Sequence, residues 1–170
     1  MVIRAAVMGY KRLAQLFREI KLPHDLMEKL QLDVYDALFD EALRIAKRLE
    51  EEGAVDVFIS GSANAAFIKP HLQTPVVTIN VSAFDLMSAI KKASEYSALV
   101  PVVSFREPIE GLDGVVDVLK PSVIPVVYHS YDDLCQKIAQ LRSQGCSVVV
   151  GASLACEIAE YHGLKGILVY

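Results

Sequence analysis

Apolar, β-prone runs and helix-like stretches take strict turns along this chain, and that alternation leaves very few architectures open to it. The runs fall at residues 2–8, 32–35, 55–60, 76–80, 99–105, 123–128, 147–150 and 166–169. Stretches with helical spacing lie between them at 11–20, 37–52, 63–68, 83–96, 109–119, 131–143 and 154–162. In the clearest of these, Leu38, Ala42, Ile45, Ala46 and Leu49 share one face. Gly53 and Gly145 stand where two helices should stop. Ser82 with Asp85, and Ser130 with Asp133, have the spacing of capping boxes, with aspartate in place of the usual glutamate. Regular strand–helix alternation means an α/β fold, with parallel sheets and right-handed crossovers. The runs are continuously apolar, as strands covered on both faces are, which accounts for a hydrophobic content of 53%.

The chain also repeats itself. Sliding it by 91 residues lays 55–79 over 146–170 without a gap, so that Ser62 meets Ser153, His71 meets His162 and Tyr170 meets Ile79. Upstream, an offset one residue larger aligns Asp40, Leu49 and Gly53 with Asp132, Leu141 and Gly145. The expected organisation is an N-terminal α/β lobe over 1–81, a connecting helix over 82–97 and a C-terminal α/β lobe over 98–170. Both lobes are expected to be Rossmann-like (flavodoxin-like), with a cleft between them.

Several function classes drop out on composition. No apolar run approaches the ~20 residues of a bilayer span, so no membrane partner is expected. Arg4, Lys11 and Arg12 give the N-terminus none of the layout of a secretory signal. The net charge is −4 with scattered cations, and no basic patch for nucleic acid is visible. Three cysteines at non-motif spacing point to reduced thiols in the cytoplasm. The sequence carries no phosphate loop, no dinucleotide glycine fingerprint, no nucleophile elbow and no zinc-ligand spacing. No catalytic residue, cofactor or metal is therefore expected.

In open α/β sheets ligands bind outside the carboxyl ends of the strands, and small polar residues collect there. The third strand leads into Ser60, Gly61, Ser62, Ala63 and Asn64, and its repeat mate into Gly151, Ala152 and Ser153. Small residues allow a close approach to a ligand, and serine can donate to a carboxylate; each serine alone also reads as a helix cap. Other strand ends supply Gly9, Tyr10 and Lys11, then Ser104, Phe105, Arg106 and Glu107, then His129 and Ser130; Ser82 follows the fourth strand. Lys11 and Arg106 can pair an acidic ligand or stand solvated, and Tyr10 and Phe105 can stack on a ligand or pack at a rim. His129 reads as a ligand contact or a surface residue. His71 and His162 lie late in helices, where the dipole explains them, and Cys156 reads as a small buried residue.

Four segments carry a family resemblance: AAVMGYKRLAQLFREI, DVFISGSANAAFIK, TPVVTINVSAFDLMSAIKKA and VVVGASLACEIAEYHGLKGILVY. Through them nearly the whole chain resembles the N-terminal sensor domain of propionate catabolism activators (PrpR-type), which are sigma-54-dependent transcriptional regulators. The resemblance implies two Rossmann-like lobes with an effector site between them, binding a small molecule, an organic acid or related metabolite. It also implies an AAA+ ATPase and a helix-turn-helix elsewhere in the full-length chain. Sigma-54 RNA polymerase and DNA would be met through those domains, with a homo-oligomer expected and this chain an excised fragment. By analogy with the helix after Ile79, residues beyond Tyr170 would lead into a helix toward the ATPase. One departure matters. The family commonly reads S-R-G-[GN]-T-A where this chain reads Ser60-Gly61-Ser62-Ala63-Asn64-Ala65. Without that arginine the chain lacks a contact that could grip 2-methylcitrate, so the effector is expected to differ.

Two other classes compete with an effector sensor. A two-lobed racemase or isomerase needs a reactive cysteine at the strand end of each lobe, and neither Ser60–Ser62 nor Gly151–Ser153 contains one. A solute-binding protein shares the clamshell logic but requires export.

Overall fold

The computed structural model describes residues 2–116 and 122–170. They form two compact units, Met1–Asn80 and Val81–Tyr170.

The first unit runs β1 (Ile3–Gly9), α1 (Arg12–Glu19), α2 (His24–Met27), β2 (Leu30–Asp36), α3 (Phe39–Glu51), β3 (Val57–Gly61), α4 (Ser62–Ile68) and β4 (Val76–Ile79). Its strands make one parallel sheet in the order β2-β1-β3-β4. β1 is central and buried from Ala5 to Gly9, as a strand covered on both faces must be. α3 turns Ala42, Ala46 and Leu49 onto a core that includes Met8, Phe58 and Ile68. It ends on Gly53, whose φ of 58° is the left-handed conformation glycine adopts without a Cβ penalty. The amides of Gly53 and Ala54 then return to the carbonyls of Glu50 and Leu49, a Schellman closure.

The second unit runs α5 (Ala83–Ser94), β5 (Leu99–Phe105), α6 (Leu112–Val116), β6 (Ser122–Tyr128), α7 (Tyr131–Ser143), β7 (Val148–Gly151), α8 (Ser153–Tyr161) and β8 (Lys165–Leu168). Its sheet is again parallel, in the order β6-β5-β7-β8. Leu86, Ala89, Ile90 and Ala93 of α5 enter one core with Val100, Val102, Val148 and Val150. The segment expected as a connector therefore packs its apolar face onto the second sheet. Gly166 lies under α8 so closely that a Cβ there would stand 2.8 Å from Cys156 Cβ and 2.9 Å from Cys156 Cα. β6 is an edge strand and carries Pro125 in register with Val102.

The two units share one strand order and, from β2 and β6 onward, one alternation of helices and strands, the three-dimensional form of the repeat; α2 is extra in the first unit and α5 precedes the first strand of the second. Leu30–Asp36 returns as Ser122–Tyr128 and Phe39–Glu51 as Tyr131–Ser143, each 92 residues on. α4 and α8 begin 91 residues apart. The gapless alignment does not survive to the last strand. Phe58 pairs with Val76, whereas its mate Val149 pairs with Gly166, so the register slips by one residue. The 3-10 turn Lys69–His71, which contains Pro70, cuts α4 short and lengthens the path to β4. His71 thus lies in that turn and not in a helix, while His162 caps the end of α8.

Of three local expectations, one holds and two change. Ser82 and Asp85 do form a reciprocal capping box. Ser130 accepts the Asp133 amide, but the Asp133 carboxylate turns to the His129 amide at 2.8 Å, so only half of the second box exists. The helix expected over 109–119 is seen as Leu112–Val116, and its part beyond 116 lies outside the described residues.

Candidate functional site

In each sheet the chain leaves its central strand toward one side first and then the other. That reversal creates a topological switch point at the carboxyl ends, between β1 and β3 in the first unit and between β5 and β7 in the second. The expected site residues divide between these two places.

At the first, Met8 and Ser60 are register partners, which brings Gly9, Tyr10 and Lys11 beside Gly61 and Ser62. Gly9 is required by space: a Cβ would lie 2.9 Å from the Ala14 amide nitrogen, so only glycine lets α1 start this close above β1. Lys11 has φ 39° and ψ −93°, with its amide donating to Asp36 Oδ1 at 2.7 Å and its ammonium 5.4 Å from the Tyr10 ring centre. Ser62 is exposed at the first turn of α4, and Ala63 is half-buried behind it.

Two expected ligand residues are structural instead. Ser60 is fully buried and its hydroxyl donates to the Met8 carbonyl at 2.6 Å. Asn64 is also buried; it donates to the carbonyls of Ala37 at 3.0 Å and Met8 at 3.3 Å, and accepts the Phe39 amide at 2.7 Å. Asn64 thereby holds Phe39 at a φ of 46°. Ser82 likewise uses its hydroxyl in the α5 cap.

At the second switch point Phe105 is the register partner of Tyr128, and their rings meet at 5.3 Å. Arg106 adopts φ 63° and places its guanidinium 4.9 Å from the Phe105 ring centre. Gly151 is in register with Val103, and a Cβ on it would come 2.9 Å from Ala155 Cβ, so α8 sits tightly on the strand. Ala152 is the N-cap of α8 and supplies no side-chain bond. Ser153 is not a cap either. It is buried, with its hydroxyl 2.7 Å from the Tyr170 hydroxyl and its amide donating to the same oxygen at 3.1 Å. His129 is exposed; its amide is the largest cause holding the Asp133 carboxyl below its ordinary range, ahead of the Lys137 ammonium at 3.1 Å.

Among the described residues, the non-glycine residues with positive φ are Lys11, Phe39 and Arg106, and all three follow the carboxyl end of a strand. Strain of this kind costs on the order of 1–3 kcal/mol per residue and gathers at functional sites. Two of them repeat one device, a cation lying over the aromatic residue just before it. Asp36 at the first switch point, and Tyr128 and Tyr170 at the second, escaped sequence reasoning. A polar residue closing an apolar strand was the available signal for Tyr128 and Asp36. A cavity of about 150 Å³ in the first unit, beside Arg4, Gln31, Asp33 and Tyr35, is lined by none of the expected site residues. No group of three or more potential metal ligands exists among the described residues.

The sequence profile of the propionate catabolism activator family matches residues 27–170. The chain belongs to that family. As a propionate catabolism activator-family domain it is a sensor domain of a transcription activator. Its fold is that of a solved NtrC family transcriptional regulator from Clostridium acetobutylicum: TM-score 0.83 at 22% identity, covering 100% of this chain and 88% of that one. Two fainter similarities carry no functional argument. One is to an ABC transporter solute binding protein from Clostridium phytofermentas with bound L-rhamnose, at TM-score 0.44 and 14% identity over 95% of this chain and 64% of that one. The other is to an aspartate racemase homologue from Pyrococcus horikoshii OT3, at TM-score 0.33 and 12% identity over 98% and 93%. No helix of the family member's described residues is long and apolar enough to cross a membrane.

Proposed function

We propose that this chain senses a small organic acid for a sigma-54-dependent activator. In this reading the acid binds at the switch-point loops and, by lobe closure, controls an AAA+ ATPase and a helix-turn-helix in the same full-length protein. The observation that carries the reading is the matched pair Tyr10-Lys11 and Phe105-Arg106. Each puts a cation on an aromatic face, on strained backbone, at the end of a central strand. An aromatic face holds a cation in place without neutralising it, so the Arg106 charge stays available to an anion. Arg106 makes no ion pair among the described residues. Closure is a common switch for two-lobed architectures, and a ligand drives it only by binding the closed state better.

With Gly61 at the position where the family commonly has arginine, a bidentate carboxylate contact is missing. The reading therefore favours an acid with fewer carboxylates than 2-methylcitrate.

Thermal unfolding with a panel of mono-, di- and tricarboxylates tests this. An acid present at a hundred times its dissociation constant stabilises the native state by ~2.7 kcal/mol, or about 5–10 °C for a chain of this size. Lys11→Met combined with Arg106→Met should abolish the shift, and small-angle scattering should show contraction at saturation. A panel without any stabilising acid, or a double variant that responds like the wild type, would refute the sensing role. Unchanged scattering at saturation would refute closure.

A further inference from the structure

Tyr128 closes β6 with its ring against Phe105 and only 2% of its surface exposed. Its hydroxyl makes no hydrogen bond to any described residue. Every fully buried side-chain polar atom among those residues does have a partner. The Tyr128 oxygen must therefore open onto accessible space at the tip of an otherwise buried ring. Tyr170 lies within electrostatic reach of it, with its own hydroxyl docked on the first turn of α8 through the Ser153 amide and hydroxyl. A hydroxyl held at the mouth of a buried ring with no protein partner is a donor presented to whatever enters that space.

We infer that Tyr128, with Tyr170 and Ser153 at the head of α8, is a carboxylate-binding subsite of the second lobe, in which the Tyr128 hydroxyl donates to the anion while Phe105 carries its apolar body. The inference rests on the sensing role proposed above and assigns the ligand's polar end to a specific donor. Three features of the place suit an anion. The α8 N-terminus contributes the positive end of its dipole. Arg106 adds a full charge through its seat on Phe105. The Ser153 amide donates into the Tyr170 oxygen, which polarises that hydroxyl. Burial, and then the neighbouring Tyr170, push the Tyr128 phenol well above its ordinary range. Tyr128 thus stays a donor at every physiological pH. A neutral amide in the same place would gain no charge-assisted bond.

The test uses benzoate as the anionic probe and benzamide as its neutral isostere, titrated calorimetrically into the full chain. Benzoate should saturate the wild type and benzamide should bind roughly tenfold more weakly or worse. Tyr128→Phe keeps the buried ring; it should weaken benzoate roughly tenfold, leave benzamide unchanged and move the melting temperature by no more than about 2 °C. In the wild type with 13Cζ-labelled tyrosine, benzoate should shift the Tyr128 line, a readout that needs no variant. Equal affinity for benzoate and benzamide, unchanged benzoate binding by Tyr128→Phe, or an unmoved Tyr128 line would each overturn the subsite. If Lys11→Met with Arg106→Met loses its response to organic acids while Tyr128→Phe keeps it, the sensing role stands and this subsite falls.

Discussion

Replacing Asn64 by alanine isolates the junction that shapes the first lobe's strand ends. Asn64 is 5% exposed and joins three segments: Met8 at the end of β1, Ala37 just after β2, and Phe39 at the start of α3. The Met8 carbonyl would keep its bond from Ser60, so that contact is discounted. The Ala37 carbonyl, in a residue 2% exposed, would lose the Asn64 donor, and the half-buried Phe39 amide would lose its acceptor. Two such losses at ~1–3 kcal/mol for the deeper group and about 1 for the shallower one predict a destabilisation of about 2–4 kcal/mol. Urea unfolding followed by circular dichroism should show a midpoint lowered by about 1 M. Asn64→Asp supplies an independent check on sign. It keeps the acceptor for Phe39 but turns a carboxylate oxygen toward two carbonyl oxygens, which raises its folded pKa above the unfolded value of about 3.9. Its stability relative to wild type should therefore be best below about pH 4 and fall as pH rises toward the folded pKa. An Asn64→Ala variant within about 0.5 kcal/mol of wild type, or an Asn64→Asp deficit independent of pH, would show that this junction does not hold the strand ends.

Gly166→Ala should destabilise the second lobe by about 1–3 kcal/mol, because the new Cβ meets Cys156 Cα and carbonyl oxygen at 2.9 Å and neither can rotate away; thiol labelling of the buried Cys156 should accelerate, and an unchanged rate and melting temperature would contradict this. Asp56→Asn should cost stability only above acid pH. The Arg4 guanidinium, 2.8 Å away, holds the Asp56 carboxyl down to about 2 in the fold, so its contribution is complete above the unfolded value of about 3.9 and disappears as pH falls toward 2. Wild-type and variant melting curves should converge below about pH 2, and a constant gap across that range would refute the assignment.

The strands were legible because each sheet buries its central members on both faces. Val7, Val102, Val148 and Val149 all sit inside, and a sequence with that job has little choice but a continuous apolar run. α2 was invisible for the opposite reason: its four residues expose Leu26 and Met27 and bury nothing, so no periodicity marks it. The switch-point loops were found by position, but the roles within them were not. Whether a serine after a strand points inward or outward depends on register and on what lies beneath. Ser60 and Ser153 turn in while Ser62 turns out. The strained cations could not be foreseen either, since no local rule places Lys11 or Arg106 at positive φ; the fold around them imposes it.

Pro125 has a consequence for how the molecule behaves among its own copies. Four-stranded open sheets leave two flanks each, and every flank offers a row of amides and carbonyls on which another chain can template itself. A proline in an edge strand interrupts that row, because it brings no amide hydrogen and cannot continue a ladder. On the β6 flank the row is broken at the middle of the strand's seven residues. Fibril-like growth from that side is blocked by one ring closure in the covalent chain, at no expense to the pairing with β5.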